Sequence, residues 1–311
     1  MDTNWEKTSM EKILLETINE QRRARRWRLF FRFIWLGIII AIFSYFMYDR
    51  KAPIVDGKYV AVVNLKGIIG YETNTYQVVS DGLQAALKDK EVVGVIIRAN
   101  SPGGSPVYSN MLYNEILRLR KLYPKKPINV VIEEMCASGC YYIAAAADKI
   151  YANPSSIVGS IGVLYTGFGL TGLMQKVGVD SRLIIAGKNK AMGYPFIPEN
   201  KEQIQMQQDM LNQIHQQFIT AVKNGRGKRL NNNDTDLFSG RYWVGENAVL
   251  LGLVDGFATV DSLARDQFKT ENIVDYTPEQ DPFDRVAKKI GLSLAGIAKQ
   301  AAVALNTGNY N

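Results

Sequence analysis

Apolar positions along this chain fall into two kinds of pattern. Residues 29–48 (LFFRFIWLGIIIAIFSYFMY) are apolar on every side of any helix they could form, and their only charge, Arg32, stands near one end. A stretch of that length is about what the hydrocarbon of a bilayer requires, whereas a soluble helix buries one stripe. Beyond it, short apolar runs at 58–65 (KYVAVVNL), 92–99 (VVGVIIRA), 128–133, 149–152, 157–165 and 181–186 read as strands. Between them, helical spacing runs through 107–122, where Leu112, Ile116, Leu119 and Tyr123 recur, and through 139–147 and 170–177. Residues 202–223 predict a long helix with Ile204, Leu211, Ile214, Phe218 and Val222 on one stripe, ending at Gly225. Strand and helix alternate, which predicts an α/β fold.

Charge turns the apolar run into a statement about topology. Six arginines (22, 23, 25, 26, 28 and 32) lie at or before its start, while Arg50 and Lys51 after it are diluted by Asp49 and Asp56. The positive-inside rule then keeps the N-terminus cytoplasmic and puts the rest of the chain across the inner membrane. A cleaved signal peptide is the rival reading, but residues 44–49 (SYFMYD) offer bulky side chains where a small-x-small site is needed. The net charge of +7 does not indicate nucleic acid: residues 1–32 carry eight Lys/Arg against five Asp/Glu, and the remaining excess forms no basic stripe. With 311 residues and 47% apolar content there is ample material for a sizeable core.

The candidate chemistry centres on Ser138, in the small-residue turn Ala137-Ser138-Gly139-Cys140 before a helical run. A serine there is pre-placed as a nucleophile whose developing oxyanion meets backbone N–H groups and the positive helix end. Its plainer role is a helix cap, and one hydroxyl can do both. His215 is the only histidine and lies in a Gln-rich, charged helix expected to be exposed, so the remaining precedented base is a lysine. Burial among Met192, Tyr194, Pro195 and Phe196 would disfavour the ammonium form of Lys190 or Lys188, and spacing alone does not choose between them. A solvated turn lysine is the plainer reading of either. The segment Asn100-Ser101-Pro102-Gly103-Gly104-Ser105 reads alone as an ordinary turn, and its adjacent glycines can also present bare N–H groups to an anion. Cys136 and Cys140 flank Ser138, and no other Cys and only one His exist to complete a metal site. They are expected to be small buried free thiols, with a disulfide the alternative in an oxidising compartment.

Taken in order, SPGG at 101–104, ASGCYYIAAAADKIYA at 137–152, VGSIGVL at 158–164, GKNKAMGYPF at 187–196 and GRYWVGENAVLLGLVD at 240–255 resemble signal peptide peptidase A, the membrane-anchored serine proteases of the ClpP/crotonase superfamily. The resemblance runs from about residue 59 to 264. It implies Ser138 as nucleophile, Lys190 as general base, Ser160 as the hydroxyl that orients the lysine, and Gly104 and Gly139 as the oxyanion hole, with no metal or organic cofactor. It further implies a protease domain of repeated ββα units over 58–270, following a basic cytoplasmic segment (1–28), the anchor (29–48) and a linker (49–57). A tail (271–311) with an amphipathic helix follows. Substrates would be cleaved signal peptides and other peptide or membrane-protein segments, and the assembly a ring-like homo-oligomer. Two residues depart from the pattern: Cys140 stands where glycine is usual, and Pro106 where valine is common. An acyl-thioester enzyme of the crotonase type and an inactive membrane scaffold are the competing readings.

Overall fold

The computed structural model describes residues 20–23, 25–41, 57–231 and 234–278, and the chain divides into two units, Met1–Ile54 and Val55–Asn311. In the first unit, residues 20–23 and 25–41 are helical (α1), with aromatic and aliphatic side chains such as Trp27, Phe33 and Trp35 exposed. Among the described residues no helix is long and apolar enough to cross a membrane. Residues 42–48 of the expected anchor, and the tail from 279 with its expected amphipathic helix, lie outside the described residues.

In the second unit the strands are β1 (Tyr59–Ile69), β2 (Val92–Gly104), β3 (Ile128–Ala137), β4 (Lys149–Ala152), β5 (Ile157–Gly159), β6 (Tyr242–Val244), β7 (Gly256–Phe257) and β8 (Ile273–Asp275). Its helices are α2 (Thr75–Lys88), α3 (Pro106–Leu122), α4 (Gly139–Ala144), α5 (Thr171–Lys176), α6 (Lys201–Arg226), α7 (Gly245–Leu250) and α8 (Val260–Asp266). Side-chain alternation divides the core. Ala61, Val63 and Leu65 of β1, Val95, Ile97 and Ala99 of β2, and Val130 and Ile132 of β3 join one apolar cluster. Their neighbours Val60, Val62, Ile96 and Val131 join a second with Leu263 and Ala264 of α8. A strand buried on both faces has no polar alternation, which is why these segments read as continuous apolar runs. The sheet order is β6-β5-β3-β2-β1-β8, with β4 paired to β3 and β7 to β4. Its described ladders are parallel except β5 against β6. This mixed α/β sheet is consistent with the ClpP/crotonase-like arrangement.

Several boundaries move for identifiable reasons. The 100–104 segment is strand, not loop: Gly103 and Gly104 pair with Ile68 and Ile69 across a register shift. Residues 181–186 form no strand and are exposed, since they have no neighbouring strand to take up their backbone hydrogen bonds. Helix α6 runs through Gly225 to Arg226 and is capped by Gly227 at φ 53°. Gly225 serves close approach, because a Cβ there would collide with the backbone of Ala145.

An ion pair locks the end of α6 to the sheet. The buried Arg226 guanidinium donates to both carboxylate oxygens of Asp255 (2.7 and 3.0 Å), and Asp255 also accepts from the Ile150 N–H at 2.7 Å. Burial pushes the Asp255 pKa up, but the Arg226 hydrogen bonds, the Ile150 N–H and the charges of Arg226 and Arg229 outweigh it and hold the carboxyl below its ordinary range.

Candidate active site

Strand β3 delivers Ser138 into a tight turn, and the chain enters α4 at the next residue. Ser138 adopts φ 53°, ψ −125°. For a non-glycine residue such a conformation costs about 1–3 kcal/mol and persists only where its surroundings over-determine it. Here they do. The Ser138 N–H donates to the Gly159 carbonyl at 2.8 Å, and the Ser138 carbonyl accepts from the Tyr142 N–H at 3.0 Å. Although Ser138 occupies the N-cap position, its side chain makes no capping hydrogen bond, so the plain capping role does not account for it.

The two glycines expected as oxyanion donors stand beside this turn. Gly104 has φ 148°, and a Cβ on it would run into the Ile69 backbone, so only glycine fits. A Cβ on Gly103 would lie 2.7 Å from the Gly139 nitrogen, and one on Gly139 would lie 3.3 Å from the Gly104 nitrogen. The backbones carrying both N–H groups are thus packed together. The extension of β2 that contradicts a simple loop is what brings them there.

Gly104, Ser138, Gly139 and Ser160 line one cavity of about 520 Å³ with Tyr142, Leu164, Ile214 and Phe218. Tyr142 stacks on Phe218 (4.8 Å between centroids) and takes a hydrogen bond from the Asn110 side chain at 2.8 Å. Ser160 follows β5 at φ 52°, and its N–H donates to the Arg241 carbonyl at 2.8 Å. Ile214 and Phe218 lie on the apolar stripe expected of α6; Phe218 is buried in the core, and both also line the cavity. The structure also brings in Ser239 and Gly240, the latter opening the 240–255 motif. His215, expected to be exposed, is half-buried, with Nε2 3.0 Å from the Ile161 carbonyl, one residue from Ser160.

Lys190 is not among the cavity's lining residues. It is exposed in a run of turns, its N–H bonded to the Gly187 carbonyl at 3.0 Å. The expected dry surroundings from Met192, Tyr194, Pro195 and Phe196 do not enclose it within this chain: Tyr194 and Phe196 pack on each other edge to face at 5.4 Å. Lys188, the competing base, forms an exposed ion pair with Glu202 at 3.2 Å. The cysteines also depart from expectation. Cys136 and Cys140 are joined as a disulfide, with Cα atoms 5.1 Å apart, and both are fully buried. Among the described residues no group of His, Cys, Asp and Glu could hold a metal ion.

Peptidase family S49 matches residues 120–273 of the chain. A Brucella abortus protein named Na(+)/H(+) antiporter NhaA is 40% identical over 231 residues, 73% of this chain and 31% of that protein. An Enterococcus faecium protein named as a candidate signal peptide peptidase SppA is 34% identical over 203 residues, covering 62% of this chain and 57% of its own. A Synechocystis protein named as a candidate protease is 30% identical over 205 residues, covering 65% of this chain and 70% of its own. The chain thus spans about a third of the Brucella protein's length.

Proposed function

The chain belongs to peptidase family S49, the SppA type, and on that footing we propose that it is a membrane-anchored serine endopeptidase working through a Ser138–Lys190 dyad. Ser138 Oγ attacks the scissile carbonyl, and the Gly104 and Gly139 N–H groups receive the oxyanion. Lys190 takes the serine's proton and returns it to the leaving amine, and Ser160 orients the lysine. Water then releases the acyl group by the same steps. The observation that carries this reading is the strained Ser138 turn, which opens α4 beside Gly104 and Gly139 in one cavity.

Lys190 must be brought to that cavity. The segment bearing it is unusually apolar for an exposed stretch: Phe168 is 85% and Ile184 97% exposed, with Leu164, Leu173, Val177 and Val179 alike uncovered. An apolar surface of this kind marks an interaction site. In the ring-like homo-oligomer we propose, a neighbouring copy covers this segment and closes the base onto the nucleophile. Cleaved signal peptides and membrane-protein segments fit the apolar wall formed by Tyr142, Leu164, Ile214 and Phe218.

Localisation follows from residues 29–48 and the arginines before them: an inner-membrane anchor, a cytoplasmic N-terminus and an extracytoplasmic catalytic domain. The Cys136–Cys140 disulfide supports an oxidising compartment. Reaction of the full-length protein with a fluorophosphonate tests the central claim. Labelling at Ser138, absent in Ser138→Ala, is the expected result; a folded protein that takes no label at Ser138 is a scaffold, and the peptidase reading falls.

A further inference from the structure

The disulfide spans the nucleophile. Cys136 sits in β3 two residues before Ser138, and Cys140 lies in the first turn of α4 two residues after it, so a bridged five-residue loop encloses the strained serine. Neither sulfur has a part in acyl transfer. Cys136 is itself fixed in the sheet, opposite Ser101 of β2 and Val158 of β5. The bridge therefore ties the first turn of α4, which carries the Gly139 N–H, to an immobile point of the core. Without it, the Ser138 conformation rests on two backbone hydrogen bonds and the contact with Gly103.

Breaking the bond changes the packing as well as the connectivity. Two thiols need full van der Waals separation where two sulfurs had been bonded, and both lie in a closely packed interior with no exposed surface. The room comes from the turn between them, because Ser138 gains energy by leaving its unfavourable φ and ψ.

We propose that the Cys136–Cys140 disulfide is a redox-sensitive positioning element: it holds Ser138 and the Gly139 N–H in register, the oxidised protein is the active form, and reduction lowers turnover without removing a reacting group. This rests on Ser138 being the nucleophile. The step is a two-electron reduction by an external dithiol, which reaches the buried sulfurs when the turn between β3 and α4 opens locally. The Sγ–Sγ bond breaks, each cysteine sulfur ends with one proton, and the reductant closes to its own disulfide.

The test uses the full-length protein in four forms: oxidised, treated with dithiothreitol, Cys136→Ala/Cys140→Ala, and Cys140→Gly, which restores the residue usual in SppA-type proteases. Thiol titration establishes the redox state, circular dichroism the fold, and a fluorogenic peptide gives kcat and KM beside the rate of fluorophosphonate labelling at Ser138. The reduced and substituted forms should lose on the order of ten-fold or more in kcat with KM little changed, the pattern of a misplaced reacting group. Reoxidation should restore the dithiothreitol-treated protein, and this arm decides the matter if a variant does not fold. Equal kcat and labelling with and without the bond overturn the proposal, and a bond that dithiothreitol leaves intact in the folded protein overturns its redox half. An oxidised protein that takes no label at Ser138 instead overturns the nucleophile assignment, and the proposal with it.

Discussion

The turn at Ser138 and the segment from 163 to 200 each carry half of the proposed dyad, and they are built in opposite ways. The serine turn is anchored between β3 and α4, crossed by a disulfide, hydrogen-bonded to β5 and pressed against Gly103 and Gly104. The lysine segment contains one short helix, α5, none of whose residues is buried, and it leaves Phe168 and Ile184 in solvent. The difference teaches that the strained half of the site has to be over-determined by its own chain before any partner arrives. The half that bears the proposed base carries no such strain, and its apolar side chains are left uncovered.

The largest effects should come from the two reacting groups. Ser138→Ala and Lys190→Ala should each cut kcat by roughly 10⁴-fold or more, as removal of a nucleophile or its base does. Peptide assays on each variant alone and on their co-assembled mixture break or sharpen the comparison. If the base comes from a neighbouring copy, the mixture regains activity by pairing an intact Ser138 with an intact Lys190; a mixture as inactive as its parts means that each chain folds its own lysine inward.

On the rigid side, Gly104→Ala keeps the backbone N–H but displaces it, and should lower kcat by up to about 10²–10³-fold, the scale of losing one oxyanion donor. It should also lower Tm, because its Cβ collides with the Ile69 backbone. Wild-type turnover in this variant would remove Gly104 from the oxyanion hole.

Farther from the serine, Asp255→Ala should cost about 3–5 kcal/mol in denaturant unfolding, since it strands the buried Arg226 guanidinium. The sign of its pH dependence follows from a folded-state pKa below the ordinary 3.8. The ion pair's contribution is complete above that value and is lost as pH falls through the depressed one. Wild-type stability should therefore drop below about pH 4, and the variant should show a shallower fall; parallel curves would mean that other carboxylates dominate. The smallest effect belongs to Lys188→Ala. Its ion pair with Glu202 is exposed, and such pairs contribute little, so kcat and KM should stay within about two-fold of wild type. Loss of activity here with retention in Lys190→Ala would move the base two residues upstream.

The central strands and α3 were legible because burial on both faces leaves a local mark: uninterrupted apolar runs at 59–65, 92–99 and 128–132, and the helical stripe of α3. Helix α2 (Thr75–Lys88) went unread, and the strand expected at 157–165 shortens to Ile157–Gly159. Ser138 was legible because a sharp turn before a helix demands small residues at fixed places, whereas Gly104 and Gly139 were singled out as oxyanion donors only through the family resemblance. Other features leave no such mark. Gly225 reads as a helix stop, and only the proximity of Ala145 shows that its missing Cβ serves packing. Residues 181–186 have strand-like composition, but a strand exists only where another accepts its hydrogen bonds. Cys136 and Cys140 gave two readings from spacing alone, and the bond between them depends on how β3 and α4 meet. By itself, then, the sequence determined which segments seek burial and named the candidate residues for the chemistry, because both are written in side-chain type and short-range spacing. Tertiary structure alone decided that Ser138, Gly104 and Ser160 share a cavity, that His215 reaches Ile161, and that Lys190 stands outside, because these depend on contacts between segments far apart in the chain.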